Sequence, residues 1–339
     1  MARARELLRY SATRLALAPV MLWLIASLVF LLLRVAPGDP VDAVLGSRAP
    51  AAAKALLRER LGLDQPLAHQ YLDFLNGLLH GDLGRALINQ EPVGEIIRLA
   101  LPASLELSLT ALLVAAVSGL AVGFSGIARP DGKLDLAGRF YGIGTYALPP
   151  FWVAMLVQLL FAVILGWLPV GGRFPPSLVP PDGSGFLILD SLRSGDWPAL
   201  QGAVRHLVLP ACTLGLLLSG IFTNALRLNL RRALRSDYVE AARSCGLSES
   251  QVVFRHALPN ALLPVLTIAG ITVASLIGGA LLIEVTFSWP GIALRLQESI
   301  NQRDYPVVQG IVVVVAALVV MVSVLVDLLV ALLDPRVRY

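Results

Sequence analysis

The chain has 339 residues, 56% hydrophobic and only 15% charged, with a mean hydropathy of +0.74. Soluble domains carry about 25% charged residues. The deficit lies in long runs almost free of charge, which excludes a soluble globular protein and predicts an all-α integral membrane protein. The net charge of +4 rests on 27 basic residues, of which only Lys54 and Lys133 are lysines. Their placement follows membrane topology, so membrane lipid is an expected partner and nucleic acid is not.

Arg3, Arg5, Arg9 and Arg14 precede an apolar run from Leu15 to about Val35. A signal peptide also has a basic start and an apolar centre. This run is too long for one, and Pro37-Gly38-Asp39-Pro40 follows it in place of a small-residue cleavage site. About 20 apolar residues cross the hydrocarbon core, so the run is read as the first transmembrane helix. Residues 36–100 are mixed in composition. Ala51 to Leu61 predicts a helix ended by Gly62. Asp64 and Pro66 open another, with Leu67, Tyr71, Phe74, Leu75 and Leu78 on one face. Such a helix lies on the membrane or packs on the spans. With no evident core of its own, this stretch reads as a small external helical segment. It completes a first unit over residues 1–100.

Five more apolar runs, 101–128, 140–168, 207–226, 259–287 and 306–333, make a second unit over residues 101–339. Six transmembrane helices place both termini on one side. Of the Lys and Arg residues outside the long first loop, 15 fall on the side of the termini and 5 on the other. By the positive-inside rule both termini are cytoplasmic, and so is the polar loop over about 227–259. The Pro/Gly-rich stretch 169–210 is then external and is expected to be irregular. Pro19, Pro149, Pro150, Pro210 and Pro264 interrupt spans, where neighbouring helices can satisfy the freed backbone groups. Gly119/Gly123 and Gly138/Gly142 are GxxxG pairs, whose ordinary meaning is close helix packing.

The loop from Asp237 to Pro264 is too regular for a passive connector. Asp237 with Glu240 three residues on reads as a capping box. Tyr238, Ala241, Ala242 and Cys245 then recur at helical spacing as one narrow apolar face. Gly246 stands where a left-handed C-cap wants glycine. Ser248 with Gln251 starts a second short helix, and Pro259 is expected to stop or kink it. On spacing alone, a helical linker between two spans explains this pair at least as well as a functional element.

Few groups in the spans could carry chemistry. Glu106 and Glu284 lie near outer ends, within reach of interfacial water, and Asp327 in an inner half, where a cytoplasmic-loop arginine can pair with it. Structural roles are expected for all three, although charge at depth is a functional signal. Cys212 and Cys245 lie in an apolar run and a polar loop, so no disulfide is expected. His69, His80, His206 and His256 form no metal-ligand pattern. No buried nucleophile–base pair suggests an enzyme. No charged relay or inverted duplication suggests a secondary transporter. A phosphate-binding loop is missing, since Gly132-Lys133 is followed by Leu134. The chain is expected to hold no cofactor, with any ATP and Mg bound by a partner. An ATP-independent transporter or a scaffold remains the alternative.

Glu240-Ala241-Ala242, Gly246, Leu258 and Pro259 stand at the spacing of the EAA loop of bacterial ATP-binding-cassette importer permeases, which this stretch resembles. His256 departs at that pattern's isoleucine. Pro37-Gly38-Asp39-Pro40, Leu61-Gly62-Leu63-Asp64 with Pro66, Gln70 and Tyr71, and Gly81-Asp82-Leu83-Gly84 resemble the dipeptide/oligopeptide/nickel permease group. So do Phe287-Ser288-Trp289-Pro290-Gly291, Arg303 to Gly310, and Asp334-Pro335-Arg336. The long first external segment points to the B-type subunit. The resemblance implies a type I importer-like fold in the bacterial cytoplasmic (inner) membrane. It implies a second homologous permease subunit in a heterodimer, two ATPase subunits, and an extracytoplasmic substrate-binding protein. It implies coupling to the ATPase through Asp237, Tyr238, Glu240, Ala241, Ala242, Gly246, Leu258 and Pro259. Peptides are the expected cargo, with nickel complexes, glutathione and peptide antibiotics as alternatives.

Overall fold

In a computed structural model, residues 2–35, 38–46, 48–126 and 132–333 are described. Pro37 and Asp334-Pro335-Arg336, named above, lie outside them. Among the described residues every regular element is helical. The first is α1 (Ala2–Val35), apolar from Ala16 onwards. The external segment follows, with α2 (Pro40–Leu45), α3 (Ala51–Arg60) and α4 (Leu67–Leu79). Gly62, at φ +64°, ends α3 as expected. α4 packs on α1: Phe30 lies 5.3 Å from the Tyr71 ring and 5.6 Å from Phe74, and the Ser27 and Tyr71 hydroxyls are 2.6 Å apart. Leu67 departs from the expected face and is 58% exposed, because it is the first residue of the helix and overhangs the contact.

The spans differ from their apolar runs in instructive ways. α5 (Val93–Ser125) begins earlier than hydropathy suggests, entering from Pro92. α6 (Lys133–Ala147) and α7 (Pro150–Gln158) form a bent apolar pair, turned by 99° at Pro149-Pro150 and counted together as one candidate span. A π-helical turn, Leu159–Ile164, continues α7. The stretch 169–210 is only partly irregular. It contains α8 (Leu187–Ser194), and α9 (Trp197–Leu234) starts within it. Asp196 accepts from Ala199 N at 2.9 Å and Pro198 occupies the first turn, start signals that polar composition hides. After two short cytoplasmic helices, α10 (Asp237–Ser244) and α11 (Glu249–Gln251), the chain enters α12 (Leu258–Gly279). α13 (Leu281–Thr286) and α14 (Ile292–Asn301) fold back outside, and α15 (Tyr305–Leu333) is the last span.

α5 and α9 are the central pair. A Cβ on Gly119 would collide with Ser219 O and Phe222, and one on Gly215 with Ala111 O. Thr223 Oγ1 donates to Gly119 O at 3.0 Å. α6 seats on α9 through Gly138 and Gly142, which lie under Arg227 and Asn224. Gly119/Gly123 therefore mark close backbone approach, and Gly138/Gly142 make room for side chains of α9. The external segment does have a core, though a shared one. Ala86, Val93, Ile97 and Ala100 cluster with Ile292, Val307 and Ile311, so it is completed by α14 and α15.

Candidate functional site

α10 ends in a Schellman motif. Gly246 sits at φ +78°, its N–H donating to Arg243 O at 2.9 Å, and Leu247 N donates to Ala242 O at 3.4 Å. A side chain at Gly246 would be strained by that φ. The α11 capping box is present: Gln251 N donates to Ser248 Oγ, and Ser248 N to Gln251 Oε1 at 3.1 Å. The two helices are also strapped by Arg243, which donates to both Glu249 carboxylate oxygens and to Leu234 O at the end of α9. That strut was not visible in the spacing.

Three local expectations need correction. The Asp237–Glu240 capping box does not form. Ser236 is the N-cap, and its hydroxyl turns back to Ala233 O at 2.5 Å. Asp237 and Glu240 instead lie exposed in the first turn, where negative charge suits the helix dipole. The apolar face is split. Val239 and Ala242 turn inward at 0% and 8% exposure, against a cluster containing Leu226, Leu230, Ala233 and Val252. Tyr238, Ala241 and Cys245 stay exposed. Val239, missed from the sequence, is what anchors α10, and its i, i+3 spacing to Ala242 was the available signal. Finally, Pro259 does not stop the second helix. The chain continues from Glu249 through a π-helical segment, Val252–Ala257, into α12. Pro259 lies exposed in the first turn of α12 and Leu258 half-buried. The wider π turn accommodates a residue without an N–H.

The ionisable groups in the spans are structural. Glu106, 7% exposed, pairs with Arg173 at 2.7 Å and accepts from Ile188 N at 2.9 Å. Glu284 is fully buried, accepting from Ser104 Oγ at 2.5 Å and Leu294 N at 2.9 Å. Neither reaches water as expected, because the α13–α14 hairpin and the loop before α8 close over them. Asp327 pairs with Arg14 of the N-terminal segment at 3.1 Å, rather than with a loop arginine.

The external motifs converge. The Arg303 guanidinium lies over Gly38, where any Cβ would collide with it, and Tyr305 OH donates to Gly38 O at 3.4 Å. Asp39 caps α2 through Val41 N at 2.9 Å and pairs with Arg58. Asp304, 3% exposed, accepts from Leu87 N at 2.9 Å. Burial pushes its carboxyl pKa up, while bonds from the Leu87, Val307 and Ile88 amides pull it down, leaving it raised. Trp289, fully buried, donates to Ala103 O at 2.9 Å.

A family model described as the binding-protein-dependent transport system inner membrane component matches residues 115–339, and its N-terminal companion residues 7–108. The di/tripeptide transport system permease protein DppB of Pseudomonas aeruginosa is 41% identical, over 98% of this chain and 99% of its own length. The dipeptide transport system permease protein DppB of Alkalihalophilus pseudofirmus is 36% identical, over 98% and 100%. The glutathione transport system permease protein GsiC of Pectobacterium atrosepticum is 33% identical, over 98% and 100%. With five helices long and apolar enough to cross a membrane, a sixth if the bent pair counts as one, and this coverage, the chain belongs to the binding-protein-dependent transport system inner membrane component family, the type I permease subunits of ATP-binding-cassette importers in the bacterial inner membrane.

Proposed function

We propose that this chain forms half of the pathway of a peptide importer and is driven through α10 by a cytoplasmic ATPase. The observation that carries the coupling role is the exposed face of Tyr238, Ala241 and Cys245, presented on a helix braced by Val239, Ala242 and the Arg243–Glu249 strut. A small, shallow helix face suits a groove on a partner. Asp237 and Glu240 flank it and offer carboxylates to basic partner residues, while Gly246, Leu258 and Pro259 set the path into α12. The chain itself is non-catalytic, and ATP and Mg are bound by two ATPase subunits. A second, non-identical permease subunit completes the pathway, and an external binding protein delivers cargo.

Di- and oligopeptides are the cargo this reading favours, supported by two relatives named for di- or tripeptides. A cavity of about 400 Å³ at the elbow of α6 and α7, lined by Val153, Val157, Phe161, Leu209 and Leu216 among others, carries no charged residue and suits a neutral passage. Glutathione, itself a tripeptide, is the second reading, on the relative named for it. Co-expression with the candidate partners tests the assembly: stoichiometric ATPase and second permease chains are expected to co-purify. Gly246→Pro is expected to leave the chain inserted and abolish ATPase binding or transport. Intact transport in that variant contradicts the coupling role. Uptake of labelled dipeptide against glutathione, with the cognate binding protein, decides the cargo.

A further inference from the structure

The row of residues that α11 and α12 turn inward has an irregular step. Ala257, Ala261 and Val265 follow at intervals of four and are buried at 0%, 1% and 5% exposure. The next inward residue upstream is Val252, fully buried, five positions before Ala257. The extra residue is absorbed by the π-helical segment, where Leu258 N–H donates to Val253 O instead of to Phe254 O. Pro259 favours this arrangement. In an α-helical register its ring would press on the Arg255 carbonyl, and the wider turn relieves that contact.

Two regular α registers compete with it. If α10 and α11 stayed in place, α12 would turn and replace Ala257, Ala261 and Val265 by His256, Asn260 and Pro264. That would put two polar groups into a cluster of apolar residues, at the cost of desolvating them. If α12 stayed in place, Val253 would replace Val252, one valine for another. Val253 is half-buried. The second register therefore puts one valine in place of another, and α11 turns by about 100° and advances about 1.5 Å relative to α12, while Val239 and Ala242 keep α10 on α9.

We propose that Val252 to Ala257 is a two-position register element, π with Val252 inward and α with Val253 inward, that positions α12 relative to α10 during coupling. The inference rests on α10 being the ATPase seat. It supplies the discrete two-state element that transmission between sites requires. Val252, Val253 and Pro259 are positioning residues: none needs to touch cargo or nucleotide.

The test uses Val252→Cys and Val253→Cys separately in the full transporter co-expressed with its partner subunits. Labelling by a membrane-permeant maleimide is read by mass spectrometry, without nucleotide and with a non-hydrolysable ATP analogue. Without nucleotide the cysteine at 253 is expected to react at least tenfold faster than that at 252, with the order reversed when the analogue is bound. The same order in both states overturns the proposal. Deleting His256 removes the extra residue and leaves one regular α register with Val252 and Ala257 both inward, so the choice between two positions is lost. Cargo-stimulated ATP hydrolysis and transport are expected to fall tenfold or more, with the ATPases still co-purifying. Transport at wild-type rate also overturns it. If the deletion does not assemble, the labelling pair still decides. Photo-crosslinking from α10 to the ATPase, scored in parallel, separates failure of the seat from failure of the register element.

Discussion

The two ends of this molecule use their distinctive residues in opposite ways. On the external side, they point inward and are consumed by the chain itself: Trp289 and Glu284 are fully buried, Asp304 holds backbone amides, and Arg303 covers Gly38. On the cytoplasmic side, Tyr238, Glu240, Ala241 and Pro259 point outward, while Ala242 is buried beside Val239 and Leu258 is half-buried. An inward motif is explained by packing, so its loss is a stability event. An outward motif on a rigid support has no internal explanation, which is the physical reason to assign it to a partner.

That contrast is broken most directly from the external side. Trp289→Ala empties a fully buried site and strands the Ala103 carbonyl, and is expected to cost about 3–5 kcal/mol, seen as a sharp fall in the thermal midpoint of the detergent-solubilised protein. Glu284→Ala leaves the Leu294 amide and the Ser104 hydroxyl without their acceptor. A loss of about 1–3 kcal/mol is expected, measured in the same way. Asp304→Asn is milder and tests a pH sign. Because the folded pKa of Asp304 is raised, its contribution to stability is fullest below the ordinary aspartate value and is lost as pH rises through the raised one. The variant is expected to flatten the pH dependence of the thermal midpoint across that window. At the cytoplasmic end, Ala241→Trp is expected to move stability by less than about 0.5 kcal/mol yet abolish transport. A large stability loss there would erase the distinction between the two ends.

The sequence made the spans and much of the helix pair legible, because those depend on composition and on local backbone chemistry. Gly246 and the Ser248–Gln251 box needed no tertiary information. The 99° elbow did need it: Pro149-Pro150 announces a break but carries no angle. Which face of α10 turns inward was also hidden. Val239/Ala242 and Tyr238/Ala241/Cys245 are both apolar, and apolarity does not say whether the neighbour is this chain or another. The Asp237–Glu240 box was misread because Ser236, one residue earlier, takes the cap position. The meeting of Gly38 with Arg303 joins two motifs far apart in the chain, and no local pattern encodes it. The π segment leaves one trace, a buried row with a step of five, visible only once burial is known.

The central claim is that the exposed face of α10 is the ATPase seat. Photo-crosslinking amino acids placed singly at Tyr238, Ala241 and Cys245, and as an external control at Ile300, which is 53% exposed, test it most directly in the assembled transporter. Adducts to the ATPase chain are expected from the three α10 positions and not from the control. A transport-competent complex with no ATPase adduct from any of the three would contradict the account.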